Sequence, residues 1–142
     1  MNSSKTFIFQ SNFDDLNVEQ TLKPGSHQVW YANQHRKKMM PGDRVYIWRS
    51  GPEGVRGIYG WANLNSAAYQ STSSDSDEPH YEVDVANVNL FKKPLLAIDL
   101  KKDPVLKDML ILKAPSGTNF LLDEQQEAAL EQVSQGLMEH TK

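Results

Sequence analysis

The sequence predicts an α+β domain: a curved mixed sheet or small barrel with flanking helices. Three observations carry that expectation. Short β-rich runs, separated by Pro, Gly and Asn breakers, recur from Lys5 to Leu90. A Pro41-Gly42-Asp43 turn launches a hairpin whose strands are Arg44–Arg49 and Val55–Leu64. The closing segment, about 124–139, has the apolar spacing of one amphipathic helix.

The elements follow in order. Lys5–Gln10, KTFIFQ, reads as a first strand, broken by Ser11-Asn12. Asp14–Leu22 reads as a short helix ended before Lys23-Pro24-Gly25. Gln28–Tyr31, QVWY, is a brief extended segment. Asn33–Met40 reads as a helix whose basic last turn suits the helix dipole. Pro41-Gly42 stops it, and the hairpin comes next. Ser66–Pro79 is polar, small and acidic, the composition of a mobile loop. Tyr81–Leu90 alternates apolar and polar residues with the period of a half-buried strand. Pro94–Asp99 and Pro104–Met109 read as helical turns; Leu110–Lys113 is a strand or the end of the second turn. Ala114–Phe120 is a turn-rich loop. Asp123 is placed to cap the last helix, with Gln126 as its capping-box partner. Leu130, Val133 and Leu137 form that helix's apolar stripe.

Composition sets bounds. At 142 residues the chain fits one domain, 1–142, with a real core. Its 39% hydrophobic and 23% charged residues are those of a globular protein. No apolar run approaches the roughly 20 residues of a membrane span, so no membrane partner is expected. The start, MNSSKTFIFQ, lacks the apolar core of a secretory signal. With no cysteine there is no disulfide framework and no thiolate metal site, and a cytoplasmic location is expected. The net charge of −3 argues against indiscriminate coating of nucleic acid. Its distribution says more. Cations cluster at His35–Lys38 and at Arg44, Arg49 and Arg56, whereas acids gather in Asp75–Glu82 and Asp123–Glu139.

The hairpin joins rings to guanidinium groups, a combination that stacks a base and holds its phosphate. Tyr46, Trp48, Tyr59 and Trp61 fall at even spacing, so each pair is expected to share one face of its strand. Core packing accounts for Tyr46, Tyr59 and Trp61. Trp30 and Trp48 are the rings singled out as ligand contacts, with Arg36, Lys37 and Lys38 between them in sequence. Gly51, Gly54, Gly57 and Gly60 recur at every third position, without the pattern of collagen or of a phosphate loop. They read as a turn, with Gly57 and Gly60 allowing close backbone approach. Catalytic signals are poor. His27, His35, His80 and His140 have no metal-ligand spacing, and Ser50 is in no nucleophile elbow. Asp43 suits turn capping better than acid–base work. No enzyme activity, metal or cofactor is expected.

Several segments together resemble the EVE domain, a PUA-like family related to the YTH and ASCH domains. They are the opening strand running into FQSNFDD, then VWYANQHRKKMMPGDRVYIWRSG, GIYGWANL, and PVLKDMLILKAPSGTNFLLDEQQEAAL. The resemblance spans nearly the whole chain. Its most specific parts are Pro-Gly-Asp-Arg-Val-Tyr-Ile-Trp-Arg-Ser-Gly and the downstream Gly-Thr-Asn-Phe. It implies a PUA-like curved sheet with flanking helices and a pocket for one modified base. EVE domains resemble readers from modification-dependent restriction systems, where nuclease or NTPase domains are fused to them. Val29-Trp30 is similar to the segment holding the first cage tryptophan of YTH readers. Ser11-Asn12 is similar to their base-contacting segment, and Ile47-Trp48-Arg49-Ser50 to a pocket strand. The loop at 66–79 has no tryptophan to complete a YTH-like cage, so N6-methyladenine is not singled out.

The expected function is therefore that of a non-catalytic reader of a methylated or hydroxymethylated base in DNA or RNA. Ser11, Asn12, Trp30, Asn33, Trp48 and Ser50 are expected to form the pocket. Arg36, Lys37, Lys38 and Arg49 are expected to hold phosphates. The chain carries no effector domain, so it acts as a free reader or a separate nuclease or other effector partner supplies the chemistry. The alternatives are a protein-interaction module and a small-molecule or nucleoside-binding domain.

Overall fold

A computed structural model describes residues 4–11, 28–71, 80–114 and 116–139. The strands are β1 (Thr6–Ser11), β2 (Gln28–Tyr31), β3 (Arg44–Arg49), β4 (Gly57–Leu64), β5 (Tyr69–Ser71), β6 (His80–Leu96) and β7 (Asn119–Leu121). The helices are α1 (Ala97–Leu100), α2 (Leu110–Lys113) and α3 (Glu124–Glu139), with 3-10 turns at Arg36–Lys38 and Leu106–Asp108. The expected helix at Asp14–Leu22 lies outside the described residues.

One curled sheet runs β2-β6-β4-β3-β1-β7, and β5 pairs with the first part of β6. β1 and β3 are parallel; the other pairs are antiparallel. The expected mixed, curved, PUA-like sheet with a few helices is what the chain builds. Its two faces have separate cores. The inner face gathers Phe7, Phe9, Val45, Ile47, Ala62, Leu64, Val83 and Val85. The outer face packs Ile8, Tyr46, Trp48 and Ile58 against Leu100, Leu106, Met109, Ile111 and Leu130 of the helical segments. Strand alternation does the sorting, since successive side chains point to opposite faces.

Asp43 works as a turn cap. Buried, it accepts the Lys5 amide on Oδ1 (2.9 Å) and the Met40 amide on Oδ2 (3.0 Å). It thereby ties the start of β1 to the turn that launches β3. Gly57 and Gly60 allow the close approach expected of them. A Cβ at either would collide with a β6 carbonyl oxygen, that of Leu95 or of Asn89. The reciprocal capping box also forms: Gln126 N donates to Asp123 Oδ1 (2.8 Å) and Asp123 N to Gln126 Oε1 (3.3 Å).

Four expectations change. Asn33–Met40 is no helix: only Arg36–Lys38 makes a 3-10 turn, behind His35 at φ 59. The amides of Asn33 and Gln34 are instead drawn to Asn119 Oδ1. β6 outruns the predicted Tyr81–Leu90 and ends at Leu96, because Leu95 and Leu96 rejoin β4 at Ile58 and Gly57. Pro94 lies in the stretch between ladder pairs, where its missing N–H costs no bond. Tyr69–Ser71 pairs with β6 inside the predicted loop, and residues 72–79 lie outside the described ones. Finally, Asn119–Leu121 is a strand against β1, where a loop was expected.

Candidate nucleic-acid interface

The half-barrel's two ends are drawn together by side chains. Buried Asn119, at the head of β7, accepts the Asn33 amide (2.7 Å) and the Gln34 amide (3.1 Å) on Oδ1. Its Nδ2 donates to the Tyr31 carbonyl (3.0 Å). Gln34 answers: its Oε1 accepts the Thr118 and Asn119 amides, each at 2.9 Å. Asn33 Nδ2 donates to Thr118 Oγ1 (2.9 Å), and Gln10 Nε2 donates to the Gly117 carbonyl (2.6 Å). The edge strands β2 and β7 are thus clasped without a continuous ladder. Gly-Thr-Asn-Phe, which the sequence offered only as part of a resemblance, is the clasp.

The seam positions Trp30. Trp30 lies on β2 with its ring 6.0 Å from Phe9 of the inner core, and its Nε1 donates to Gln28 Oε1 (2.9 Å). It is half-buried, as are Tyr59 and Tyr81, which pack against the same inner cluster. Two cations lie over these tyrosines: Arg36 is 4.1 Å from the Tyr81 centroid and Arg49 is 5.8 Å from that of Tyr59. Arg49 Nε is buried with no hydrogen-bond partner, as are Arg56 Nε and Trp61 Nε1. Lys37 and Lys38 are exposed on the turn that carries Arg36. His35, before that turn, has its pKa lowered by burial and, secondarily, by Lys38.

Trp48 does not join Trp30. It is 1% exposed and belongs to the outer cluster with Ile58, Leu106 and Met109. On β3, Val45 and Ile47 face inward and Tyr46 and Trp48 outward. Parity along a strand was the signal that separates Trp48 from its neighbour Arg49. A base cannot stack on a ring enclosed by the helical layer, so the expected pairing of Trp30 with Trp48 is corrected.

Tyr59 was expected in the core beside Trp61, on one face. A bulge separates them. β3 pairs Trp48 with Ile58 and then Ile47 with Gly60, skipping Tyr59, and β6 skips it as well. The extra residue turns Tyr59 to the inner face while Trp61 packs on the outer one under Arg44, at 4.7 Å.

Of the remaining expected residues, Ser11 pairs in register with Arg49 and so sits at that end of the sheet. Ser50 follows Arg49 directly and is half-buried; Asn33 is exposed on the seam. Asn12 lies outside the described residues. The structure adds Tyr59, Tyr81 and the Gln34–Asn119 clasp. No group of three or more metal-ligating side chains occurs among the described residues. Nor is any described helix long and apolar enough to cross a membrane.

Comparison with known structures agrees with this architecture. A hypothetical protein from Leishmania major superposes with a TM-score of 0.74 at 17% identity, covering 94% of this chain and 96% of that one. A Pseudomonas putida protein gives 0.69 at 22% identity, covering 88% and 96%. Human THYN1, solved in complex with 5-methylcytosine containing DNA, gives 0.70 at 17% identity, covering 92% and 97%. At these identities the likeness is one of fold. A search of curated proteins found no match. The model of the EVE domain family matches residues 5–133, almost the whole chain and every strand described above, and the protein therefore belongs to the EVE domain family.

Proposed function

We propose that the protein is a nucleic-acid-binding reader. In this reading it takes a methylated or hydroxymethylated base onto the inner face of the half-barrel and catalyses nothing. The observation that carries this reading is Trp30, a half-buried indole on the inner core beside the clasped seam, just ahead of the Arg36–Lys38 turn. The fold shared with human THYN1, which was solved with 5-methylcytosine containing DNA, supports the same class of ligand.

In the proposed mechanism the base, flipped or already unpaired, stacks on Trp30. Ser11, Asn12, Asn33 and Ser50 address its edge. Arg49, with its unpartnered Nε, and Arg36, Lys37 and Lys38 hold the flanking phosphates. Trp48, enclosed in the outer core, plays no part in the pocket; Tyr59, under Arg49, packs on the same inner cluster as Trp30.

Magnitudes shape the reading. Stacking offers about 1–3 kcal/mol per base. Flipping a base from a duplex costs a few kcal/mol, so stacking alone breaks even. Net affinity then comes largely from phosphate contacts and falls steeply with salt. A buried methyl adds only about 0.8 kcal/mol, less than tenfold. Sharp discrimination needs a pocket that leaves a polar group unpaired when the unmodified base enters.

The test is a binding screen of modified against unmodified oligonucleotides, single- and double-stranded, at two salt concentrations. The wild type is expected to prefer a modified strand. Trp30→Ala is expected to lose that preference and about tenfold or more in affinity. If Trp30→Ala keeps the preference, the base is bound elsewhere.

A further inference from the structure

The outer face where β2, β6 and β5 meet carries a second constellation, on the side of the sheet opposite Trp30. On β6, Tyr81, Val83 and Val85 pack inward, so His80, Glu82 and Asp84 alternate outward. Glu82 pairs with Tyr31 of β2 on one side and with Tyr69 of β5 on the other. Paired residues on neighbouring strands point to the same face. The row therefore reads Tyr31, Glu82, Tyr69: a carboxylate between two phenol rings. With neighbouring strands about 4.8 Å apart, the two tyrosine backbones stand roughly 10 Å from each other. A cation seated above Glu82 would meet a phenol ring on either side.

The neighbouring rows continue the pattern. Asp84 pairs with Val29, and His80 pairs with Ser71. Tyr69 Oη donates to Asp84 Oδ1 at 2.7 Å, and that bond is the main cause of a phenol pKa raised to about 12. Tyr69 is thus a fixed neutral donor that orients the Asp84 carboxylate. His80 Nε2 lies 2.9 Å from Glu82 Oε2, and its ring meets Tyr31 edge-on at 5.3 Å. Beside Asp84 the surface opens into a cavity of about 370 Å³ lined by Gln28, Val29, Asn65 and Asp84. Val29 is 58% exposed, Tyr31 56% and Tyr69 38%, a large apolar area for one short stretch of sheet.

We propose that this face docks a protein partner through an arginine-bearing segment, one guanidinium seating over Glu82 between Tyr31 and Tyr69. Charge complementarity carries the choice. Among the described residues of these rows, Glu82 and Asp84 are the carboxylates, His80 beside Glu82 is able to become cationic, and no Lys or Arg side chain stands with them. A guanidinium lies flat on a tyrosine ring and forks to a carboxylate, which an ammonium cannot do. The cavity beside Asp84 is large enough for a second long cationic side chain. A polyanionic nucleic acid is repelled from this face, so the proposal stands apart from the reader function and neither rests on the other.

The test is a titration of a fluorescent Arg-Gly repeat peptide, with Lys-Gly and Glu-Gly repeats of equal length as controls. The wild-type protein is expected to bind the Arg-Gly peptide more tightly than the Lys-Gly one and not to bind Glu-Gly. Glu82→Gln and Tyr69→Ala are each expected to weaken Arg-Gly binding about tenfold while leaving oligonucleotide affinity unchanged. Backbone amide shifts are expected to move at 29–31, 69–71 and 80–84. Absence of Arg-Gly binding, equal binding of Arg-Gly and Lys-Gly, or unchanged binding by Glu82→Gln overturns the arginine seat. So does displacement of the peptide by an oligonucleotide. Self-association that Glu82→Gln abolishes would make a second copy the occupant and overturn it equally.

Discussion

Trp30 and Trp48 are chemically identical and structurally opposite. Trp48 is enclosed between the sheet and the helical layer, whereas Trp30 is half-buried against the inner cluster. Their substitutions are therefore expected to separate stability from binding. Trp48→Ala leaves a large cavity among Ile58, Leu106 and Met109 and is expected to cost about 3–5 kcal/mol of stability by chemical denaturation. Trp30→Ala removes a partly exposed ring and is expected to act on oligonucleotide affinity first. A Trp48→Ala protein of wild-type stability would contradict the packing described here. Asp43 shows a residue whose role was legible locally: a Pro-Gly-Asp turn needs its amides capped, and the carboxylate accepts two of them.

Among the elements, those with self-contained chemistry match their sequence. The capping box starts α3 where Asp123 and Gln126 place it, and α3 ends where its spacing predicts, at Glu139. Asp123→Ala is expected to lower stability by about 1 kcal/mol, read as a shift in denaturation midpoint. The Asn33–Met40 segment differs because its first amides are claimed from outside by Asn119. What remains is a short turn that presents Lys37 and Lys38 to solvent and lays Arg36 on Tyr81. Replacing Arg36, Lys37 and Lys38 with Ala is expected to weaken modified and unmodified strands alike. It is also expected to flatten the slope of log affinity against log salt by roughly 2–3. Selective loss of base preference in this variant would contradict a phosphate-holding role.

For the whole molecule, closure rests on a small number of polar atoms. β2 and β7 are the two ends of the strand order, and the Gln34–Asn119 exchange joins them. Asn119→Ala strands two amides and a carbonyl at the seam and is expected to cost about 3 kcal/mol. It is also expected to speed amide exchange at Asn33 and Gln34 and to weaken oligonucleotide binding, because β2 carries Trp30. Exchange unchanged at those two amides would show that the seam is held by something else. The two faces of this part of the sheet differ in chemistry: Arg36 over Tyr81 and Arg49 over Tyr59 on the inner face, and tyrosines with carboxylates on the outer face of β2, β6 and β5.

By itself the sequence determined the class of the fold, the β3–β4 hairpin, the extent of β2, the last helix and the residue types that suit a base and its phosphates. These follow from alternation, turn chemistry and capping, all of which act within a few residues. Only the tertiary structure decided which ring faces which core. Bulges and strand parity put Trp48 outside and Tyr59 inside. It also decided that Asn119, far along the chain, breaks the expected helix and closes the half-barrel. Those outcomes depend on hydrogen bonds between residues more than 80 positions apart, which no local pattern encodes.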